Sequence, residues 1–220
     1  DSSTVYPLND DRGSIYRLVT KKGNQEFAVY TAHLDYRNCA YYDARGYDGN
    51  NWNKIEPVTN LDSILVLNRA SVRDDAIARF IKEAEKDKAA GRIVILGGDF
   101  NEPSHLDWTE ATKDLYNHGG AVVNWTVSKS MEEAGFIDSF REVNPDPVKN
   151  IGTTWLTAAD SLETPNRQDR IDYIYYQGKT IKATASQCYD NYLGKQFQFE
   201  GEPFFYGSDH GFVLTEFSIK

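Results

Sequence analysis

The amino-acid sequence predicts a layered α+β domain built around a substantial sheet. Several segments alternate β-branched or aromatic residues with period two, one long segment repeats its apolar residues with a helical period, and one short apolar run suits a strand buried on both faces. The chain has 220 residues, of which 40% are hydrophobic and 26% charged. That composition is typical of a globular protein, and the length suits one domain.

Two strands are predicted near the start of the chain, over residues 14–20 and 26–33, joined by a turn at residues 21–24. Their residues alternate with period two, as in strands that bury one face. A polar loop rich in Tyr, Asn, Asp and Gly follows over residues 35–60. Ordered loops of this length frequently carry function.

Helical spacing dominates the next part of the chain. Apolar residues at positions i, i+3, i+4 and i+7 predict one helix over residues 61–89, which ends before Gly91. The apolar run at residues 92–97 predicts a short buried strand. Two further helices are predicted within residues 104–117 and 125–134.

Three more strands are predicted towards the end of the chain, over residues 169–176, 180–187 and 211–219. The first two are expected to pair with each other through a turn at Gly178-Lys179. Strands and helices in this order predict a mixed sheet with helices packed beside it.

Charge and composition exclude some classes of protein. The longest uninterrupted apolar run is residues 93–96, whereas a membrane span needs about 20 such residues. The net charge of −9 is the reverse of the balance usual in a dedicated nucleic-acid binder, although it does not exclude a local basic groove. Cys39 and Cys188 either form one long-range disulfide or stay as free thiols, and their spacing fits no zinc motif.

Polar residues suited to catalysis recur at or beside the ends of predicted strands. They are His33, Asp99, Asn101, Asp172, Asp209 and His210. Each has a structural explanation when taken alone: an Asp after Gly-Gly is usually a turn residue, and Asp172 has Arg170 two residues away as a partner. Together they converge only if the strands share one edge of a sheet.

Convergence of these carboxylates would need a compensating charge. Two unit charges 4 Å apart repel by about 4 kcal/mol at an effective dielectric near 20. A hard cation such as Mg²⁺, Mn²⁺ or Ca²⁺, or a protonated histidine, would offset that repulsion. The chemistry that fits is hydrolysis of a phosphate ester, in which a carboxylate orients water and Asn and His donate hydrogen bonds to phosphate oxygens.

The motifs GGDFN (97–101), RIDY (170–173) and SDH (208–210), in that order, resemble the endonuclease/exonuclease/phosphatase superfamily. This group includes DNase I, exonuclease III, bacterial sphingomyelinases and inositol polyphosphate 5-phosphatases. TAHLD (31–35) resembles the strand of that family that ends in a catalytic His, and Thr154-Trp155 matches a Thr-Trp pair. The resemblance implies a DNase I-like two-sheet β-sandwich flanked by helices.

The resemblance also implies a role for each residue. His33 would bind the phosphate or assist the leaving group, and Asp99 would orient or activate water. Asn101 would hold a phosphate oxygen. His210 would contact the scissile phosphate, and Asp172 would fix the tautomer of His210.

The same resemblance places Asp209 at the metal end of the site, with Mg²⁺ as the ion or Mn²⁺ or Ca²⁺ in its place. Substrate binding is expected from Arg170 and from two residues of the loop beside His33, Tyr36 and Arg37.

One departure from the family pattern concerns its main metal ligand, a Glu well upstream of the His33 strand. Glu26 is the only Glu before His33, and it lies in the wrong context. We therefore expect residues 1–220 to form a single domain of this type that is incomplete at its N-terminus, the later part only. A missing N-terminal segment or another chain would complete the sheet, and the isolated chain would bind metal weakly and have little or no activity.

The predicted function is that of a metal-dependent phosphoesterase acting on a phosphodiester or phosphomonoester of a small or lipid-type compound, in a secreted or periplasmic protein. A nuclease acting on DNA or RNA is an alternative that the charge does not favour. A catalytically inactive domain that binds carbohydrate or another ligand is an alternative of another class. A glycosidase using Asp99 and Glu102 would need two carboxylates facing each other across a sugar, which their spacing matches poorly.

Overall fold

The computed structural model describes residues 3–7, 14–155, 169–190, 196–199 and 201–220. In chain order the elements are β1 (Ser3–Pro7), β2 (Ser14–Lys22), β3 (Gln25–His33), α1 (Ala40–Asp43), α2 (Leu61–Asn68), α3 (Arg73–Ala89), β4 (Ile93–Asp99), α4 (Thr126–Glu133), β5 (Ile137–Asp138), α5 (Ser139–Val143), β6 (Asp172–Gln177), β7 (Ile181–Tyr189), β8 (Gln196–Phe199), β9 (Glu202–Phe205) and β10 (Phe212–Ile219).

Six strands form the main sheet, in the order β1-β2-β3-β4-β6-β5. β4 is parallel to β3 and antiparallel to β6. A parallel pair needs a crossover connection, and α3 lies within this one. Its apolar stripe, which includes Ile77 and Phe80, packs with Tyr30 and Val94 in the largest core cluster. The helical layer therefore covers one face of the sheet.

A second, smaller sheet covers part of the opposite face. β7 and β10 pair antiparallel, and their residues Ile181 and Phe217 pack with Phe27, Ile93 and Tyr176 of the main sheet. The ring centroids of Tyr176 and Phe217 are 5.0 Å apart in an edge-to-face contact. Two sheets flanked by helices are the α+β sandwich that the sequence predicts.

Several predicted elements are confirmed with small changes in their bounds. The strands expected at 14–20, 26–33, 92–97 and 211–219 are β2, β3, β4 and β10, and the helix expected within 125–134 is α4. The polar loop predicted over residues 35–60 also contains a short helix, α1. Both cysteines are free thiols, so the disulfide alternative is wrong.

The single helix predicted over residues 61–89 is wrong, because two helices form there. α2 ends at Asn68 and α3 begins at Arg73, with a turn between them. Ser71 Oγ donates a hydrogen bond to Asp35 Oδ2 at 3.0 Å, which ties this turn to the loop after β3. The break thus depends on a contact between distant parts of the chain.

The helix predicted within residues 104–117 is also wrong, since this fully described segment consists of turns. Thr112 Oγ1 donates to the carbonyl oxygen of Asp107 at 2.6 Å. Such side-chain bonds to the backbone compete with helical hydrogen bonds. Tyr116 and Asn117 then have φ angles of 52° and 61°, which are not helical.

The predicted pairing of the strands over residues 169–176 and 180–187 is wrong. β6 lies between β4 and β5, whereas β7 pairs with β10 in the other sheet. At Gly178 the backbone is so close to its surroundings that a Cβ atom would lie 2.9 Å from Ile181 Cγ2. The chain therefore turns a tight corner from one sheet to the other instead of forming a hairpin.

In the part of the chain that the structure describes, no helix is both long and apolar enough to cross a membrane.

Gly98 permits the close approach of β3 and β4 just before their last residues. Its φ angle is 144°, and a Cβ atom there would lie 1.9 Å from the carbonyl oxygen of Ala32. Because real atoms do not approach so closely, only glycine allows this pairing. The next pair in the register is His33 with Asp99.

We predict that Gly98→Ala destabilises the protein by about 3 kcal/mol or more, since it adds a backbone clash to the strain of positive φ. Gly23→Ala is the matched control: its φ is 60° and no heavy atom lies within 4 Å of the new Cβ. Gly23→Ala should lower the free energy of unfolding by roughly 1–2 kcal/mol. Urea unfolding of both variants measures the difference, and equal losses would contradict the close-approach argument.

Candidate active site

The register of β3, β4 and β6 places three chemically active residues in one row across the sheet. His33 is the partner of Asp99, and Asp99 is the partner of Asp172. Residues directly opposite each other point to the same face of a sheet. His33 Nε2 accordingly lies 3.6 Å from Asp99 Oδ2.

His210 joins this row from the segment before β10. Its Nδ1 lies 2.9 Å from Asp172 Oδ2, and its Nε2 lies 3.7 Å from Asp99 Oδ2. With Nδ1–H directed at Asp172, Nε2 is the nitrogen turned towards Asp99. The four residues His33, Asp99, Asp172 and His210 therefore form one cluster, as their positions at strand ends predict.

The segment before residue 156 holds His210 in place. The ring of Trp155 packs against the imidazole of His210 with centroids 4.4 Å apart. Thr154 Oγ1 accepts hydrogen bonds from the backbone N–H groups of Ile171 and Asp172, both at 3.1 Å. The Thr-Trp pair thus links the histidine to the start of β6.

Asn101 supports Asp99 from the turn after β4. Its backbone N–H donates to Asp99 Oδ1 at 2.8 Å, and its Nδ2 donates to Asp99 Oδ2 at 3.1 Å and to the carbonyl oxygen of Leu34 at 3.0 Å. Asn101 has a φ of 50°, a conformation that Asn tolerates better than most residues. It fixes the orientation of the Asp99 carboxylate, and its predicted contact with phosphate stays a prediction.

The cluster shifts the protonation of two of its members. Burial raises the pKa of Asp99, and the neighbouring charge of Asp172 raises it further, to about 7. Burial by itself would lower the pKa of His210, but the hydrogen bond to Asp172 and the charges of Asp172, Asp99 and Asp209 outweigh it and raise that pKa. Groups that titrate near neutral pH are suited to proton transfer.

The donor atoms of the cluster fit a hard divalent cation. Asp99, Asp172 and His210 each offer a ligand atom within 4.8 Å of the others. Mg²⁺ is commonly held by one or two carboxylates and completes its shell with water and substrate oxygens. Asp209 is exposed and is not part of this group. Glu26 is not near it either, because it pairs with Arg92 at the other end of the sheet.

The prediction that Arg170 binds substrate is wrong, and so is its alternative role as the partner of Asp172. The Arg170 side chain is fully buried. Its Nη2 lies 3.0 Å from Asp107 Oδ2, and its Nη1 lies 2.7 Å from Asp138 Oδ2. Arg141 Nε also pairs with Asp107, at 2.6 Å. These buried charges neutralise one another beneath the sheet, so Arg170 stabilises the fold.

The loop residues expected to bind substrate lie at the surface beside His33. Tyr36 is 66% exposed, and the guanidinium of Arg37 lies 5.6 Å from its ring centroid. Arg37 Nε is 3.2 Å from Asp35 Oδ1 and remains partly exposed. Their role in binding stays a prediction.

Sequence reasoning missed the buried network around Arg73. Its guanidinium donates to the carbonyl oxygens of Asp35, Arg37 and Asn38 at 2.7–2.9 Å, and to Asn68 Oδ1 at 2.9 Å. These bonds fix the loop that follows His33. An arginine within a helical pattern normally lies in solvent, so the sequence carries no signal for this role.

Glu102 belongs to the same network and cannot serve as a catalytic acid facing a sugar. It is buried, and its side chain accepts hydrogen bonds from Asn68 Nδ2 and from the backbone N–H of Val127, both at 2.7 Å. Its nearest arginine contact is Arg73 Nε at 3.6 Å. The glycosidase interpretation is therefore wrong.

Comparison with known proteins gives the family. The profile of the Endonuclease/Exonuclease/phosphatase family matches residues 13–210. The chain belongs to this family. Over 160 residues it is 34% identical to the uncharacterized protein F14F9.5 of Caenorhabditis elegans, an alignment that covers 69% of this chain and 48% of that protein. The chain thus matches about half the length of this curated family relative.

Two solved structures show the same fold. Truncated TDP2 of Caenorhabditis elegans is similar with a TM-score of 0.53 at 15% identity, over 100% of this chain and 66% of that one. TDP2 of D. rerio, solved as a complex with a single strand DNA product, has a TM-score of 0.53 at 13% identity, over 99% and 67% of the two chains. At such identities the likeness to these family structures concerns the fold alone.

We predict that Asp172→Asn lowers the pKa of His210, because it removes a negative charge at hydrogen-bond distance. Histidine proton NMR titration of the metal-free protein measures this pKa. Glu132→Gln is the control: Glu132 lies 3.2 Å from His105 Nε2, so only the titration of His105 should move. An unchanged His210 pKa in Asp172→Asn would contradict the pairing.

The same variant should change how stability depends on pH. A raised folded-state pKa means that His210 stabilises the protein below its unfolded pKa of about 6.5 and that this contribution is lost as the pH rises through the folded value. In Asp172→Asn the free energy of unfolding should fall less as the pH rises through this range than it does in the unchanged protein. Urea unfolding at a series of pH values measures this difference.

Proposed function

We propose that this domain is a metal-dependent phosphoesterase that hydrolyses a phosphodiester or phosphomonoester. The observation that carries the proposal is the cluster of His33, Asp99, Asp172 and His210 at one edge of the sheet. Two imidazoles beside two carboxylates supply both hydrogen-bond donors for phosphate oxygens and acceptors for the proton of a nucleophilic water. The His33 side chain is 71% exposed, so the cluster is open to a ligand.

Each residue has a defined role in this proposal. Asp99, held by Asn101, orients the attacking water and accepts its proton, for which a pKa of about 7 is well suited. His210 donates from Nε2 to a non-bridging phosphate oxygen, and Asp172 keeps its Nδ1 protonated. His33, on the other side of Asp99, contacts the phosphate or the departing oxygen.

A divalent ion would be held by the carboxylates of Asp99 and Asp172, beside His210. When bound, such an ion polarises the phosphoryl oxygen and neutralises the charge that develops on it. Weak metal binding by these 220 residues stays an expectation.

A small or lipid-type phosphate ester is the proposed substrate. Arg45 and Arg170 are not available to bind further phosphates, because Arg45 is buried against Asp169 and Arg170 against Asp107 and Asp138. Arg37 stays partly exposed beside His33, which suits one or two phosphates better than a polyanion. Nuclease activity is the second candidate, because a protein of the same fold was solved with a single strand DNA product.

Turnover of p-nitrophenyl phosphate and bis-p-nitrophenyl phosphate by the intact protein with Mg²⁺ or Mn²⁺ tests the proposal. His210→Ala and Asp99→Asn should each lower kcat/KM by about 100-fold or more, the usual contribution of a general acid or base. His105→Gln is the matched control, since the His105 ring contacts Ser128 and Glu132, which are not residues of the cluster. It should stay within about threefold of the natural protein.

An unchanged rate in His210→Ala would contradict the assignment of the cluster, and an unchanged rate in EDTA would contradict the metal. Absence of turnover together with saturable binding of a sugar would support the inactive binding domain instead. A short single-stranded oligonucleotide cleaved faster than the small esters would favour the nuclease.

A further inference from the structure

A second cavity lies at the end of the main sheet opposite the catalytic cluster. Its volume is about 540 Å³, which is within the range of pockets for small ligands. Ile93, the first residue of β4, lines it, whereas Asp99 at the catalytic end is the last residue of that strand. Six residues of strand separate the two sites by roughly 20 Å. The cavity is therefore distinct from the cluster.

The described lining of this cavity carries positively charged side chains, whereas the chain as a whole is negative. Its described lining residues include the cations Lys88, Arg92 and Lys179 and no Asp or Glu, although the chain has 33 acidic and 24 basic residues. Lys88 pairs with Glu85 at 2.7 Å and Arg92 with Glu26 at 2.9 Å, outside the lining. Lys179 is exposed, and among the described residues no carboxylate pairs with it. The lining favours an anion.

The remaining wall is mainly apolar. Ile93 and Ile137 supply apolar surface, and Ile137 is 40% exposed. Gln177 also lines the cavity, and its Nε2 donates to the carbonyl oxygen of Ala134 at 3.2 Å, which holds the side chain against the wall. This wall suits a flat apolar group.

Two glycines that follow helix ends also line the cavity. Gly91 and Gly135 come directly after the C-cap residues of α3 and α4 and have φ angles of 78° and 81°, which other residues rarely adopt. A side chain on Gly135 would meet Gln177 Nε2, since its Cβ would lie 2.7 Å away.

We propose that this cavity binds a small organic anion that combines one phosphate or carboxylate group with a flat ring, the chemistry of a nucleoside monophosphate. The anionic group lies at Lys179 and Lys88, and the ring packs on Ile93 and Ile137.

Isothermal titration of the metal-free protein with AMP, adenosine and inorganic phosphate separates the parts of this ligand. AMP should bind with a Kd of about 0.01–1 mM, and the two fragments at least about tenfold more weakly. Lys179→Glu and Lys88→Gln should each weaken AMP binding by about tenfold or more, while p-nitrophenyl phosphate turnover stays unchanged. Lys82→Glu, an exposed lysine of α3 outside the lining, is the matched charge control and should change Kd less than about twofold.

Binding at the catalytic cluster is excluded by repeating the titration with His210→Ala, which removes the proposed phosphate donor of the cluster and in which AMP affinity should persist. Hydrogen exchange with AMP present should slow at residues 177–181 and not at residues 208–211. The proposal is overturned if AMP fails to bind below about 5 mM, if His210→Ala abolishes binding, or if Lys82→Glu weakens it as much as Lys179→Glu.

Discussion

The alignment of three strands is the constraint on which the rest of this molecule depends. Because β3, β4 and β6 share one register, His33, Asp99 and Asp172 lie side by side at the sheet edge. Two adjacent carboxylates are unfavourable. His210 compensates for them, since its imidazole lies within 3.7 Å of both. Reactivity and electrostatic cost therefore have the same origin, as is common at functional sites.

The surrounding structure serves to maintain that alignment. Gly98 allows the strands to meet, Asn101 holds the carboxylate after the strand ends, and Trp155 packs on the imidazole. Farther out, Arg73 fixes the loop beside His33 and Arg170 neutralises two aspartates under the sheet. These buried charges are held by ion pairs and hydrogen bonds, although Arg73 Nε has no hydrogen-bond partner. Removal of one partner would leave a buried charge unpaired, which is costly.

Sequence reasoning succeeded where local pattern decides structure and failed where distant contacts decide it. Period-two segments predicted β2, β3 and β6, and an apolar run predicted β4. The position of Asp99 directly after that run placed it at a sheet edge. The break before Arg73, the crossing of β7 to the second sheet and the burial of Arg170 depend on partners far along the chain. No window of sequence around those residues contains the partners.

The central claim is that the cluster of His33, Asp99, Asp172 and His210 holds a hard cation and a phosphate group together. The chain has four histidines, and only His33 and His210 belong to the cluster. Adding substoichiometric Mn²⁺ with inorganic phosphate and recording the imidazole proton NMR signals tests the claim most directly. Our account predicts that paramagnetic broadening affects His33 and His210 and spares His105 and His118. Equal broadening of all four signals, or broadening confined to His105 and His118, would contradict it.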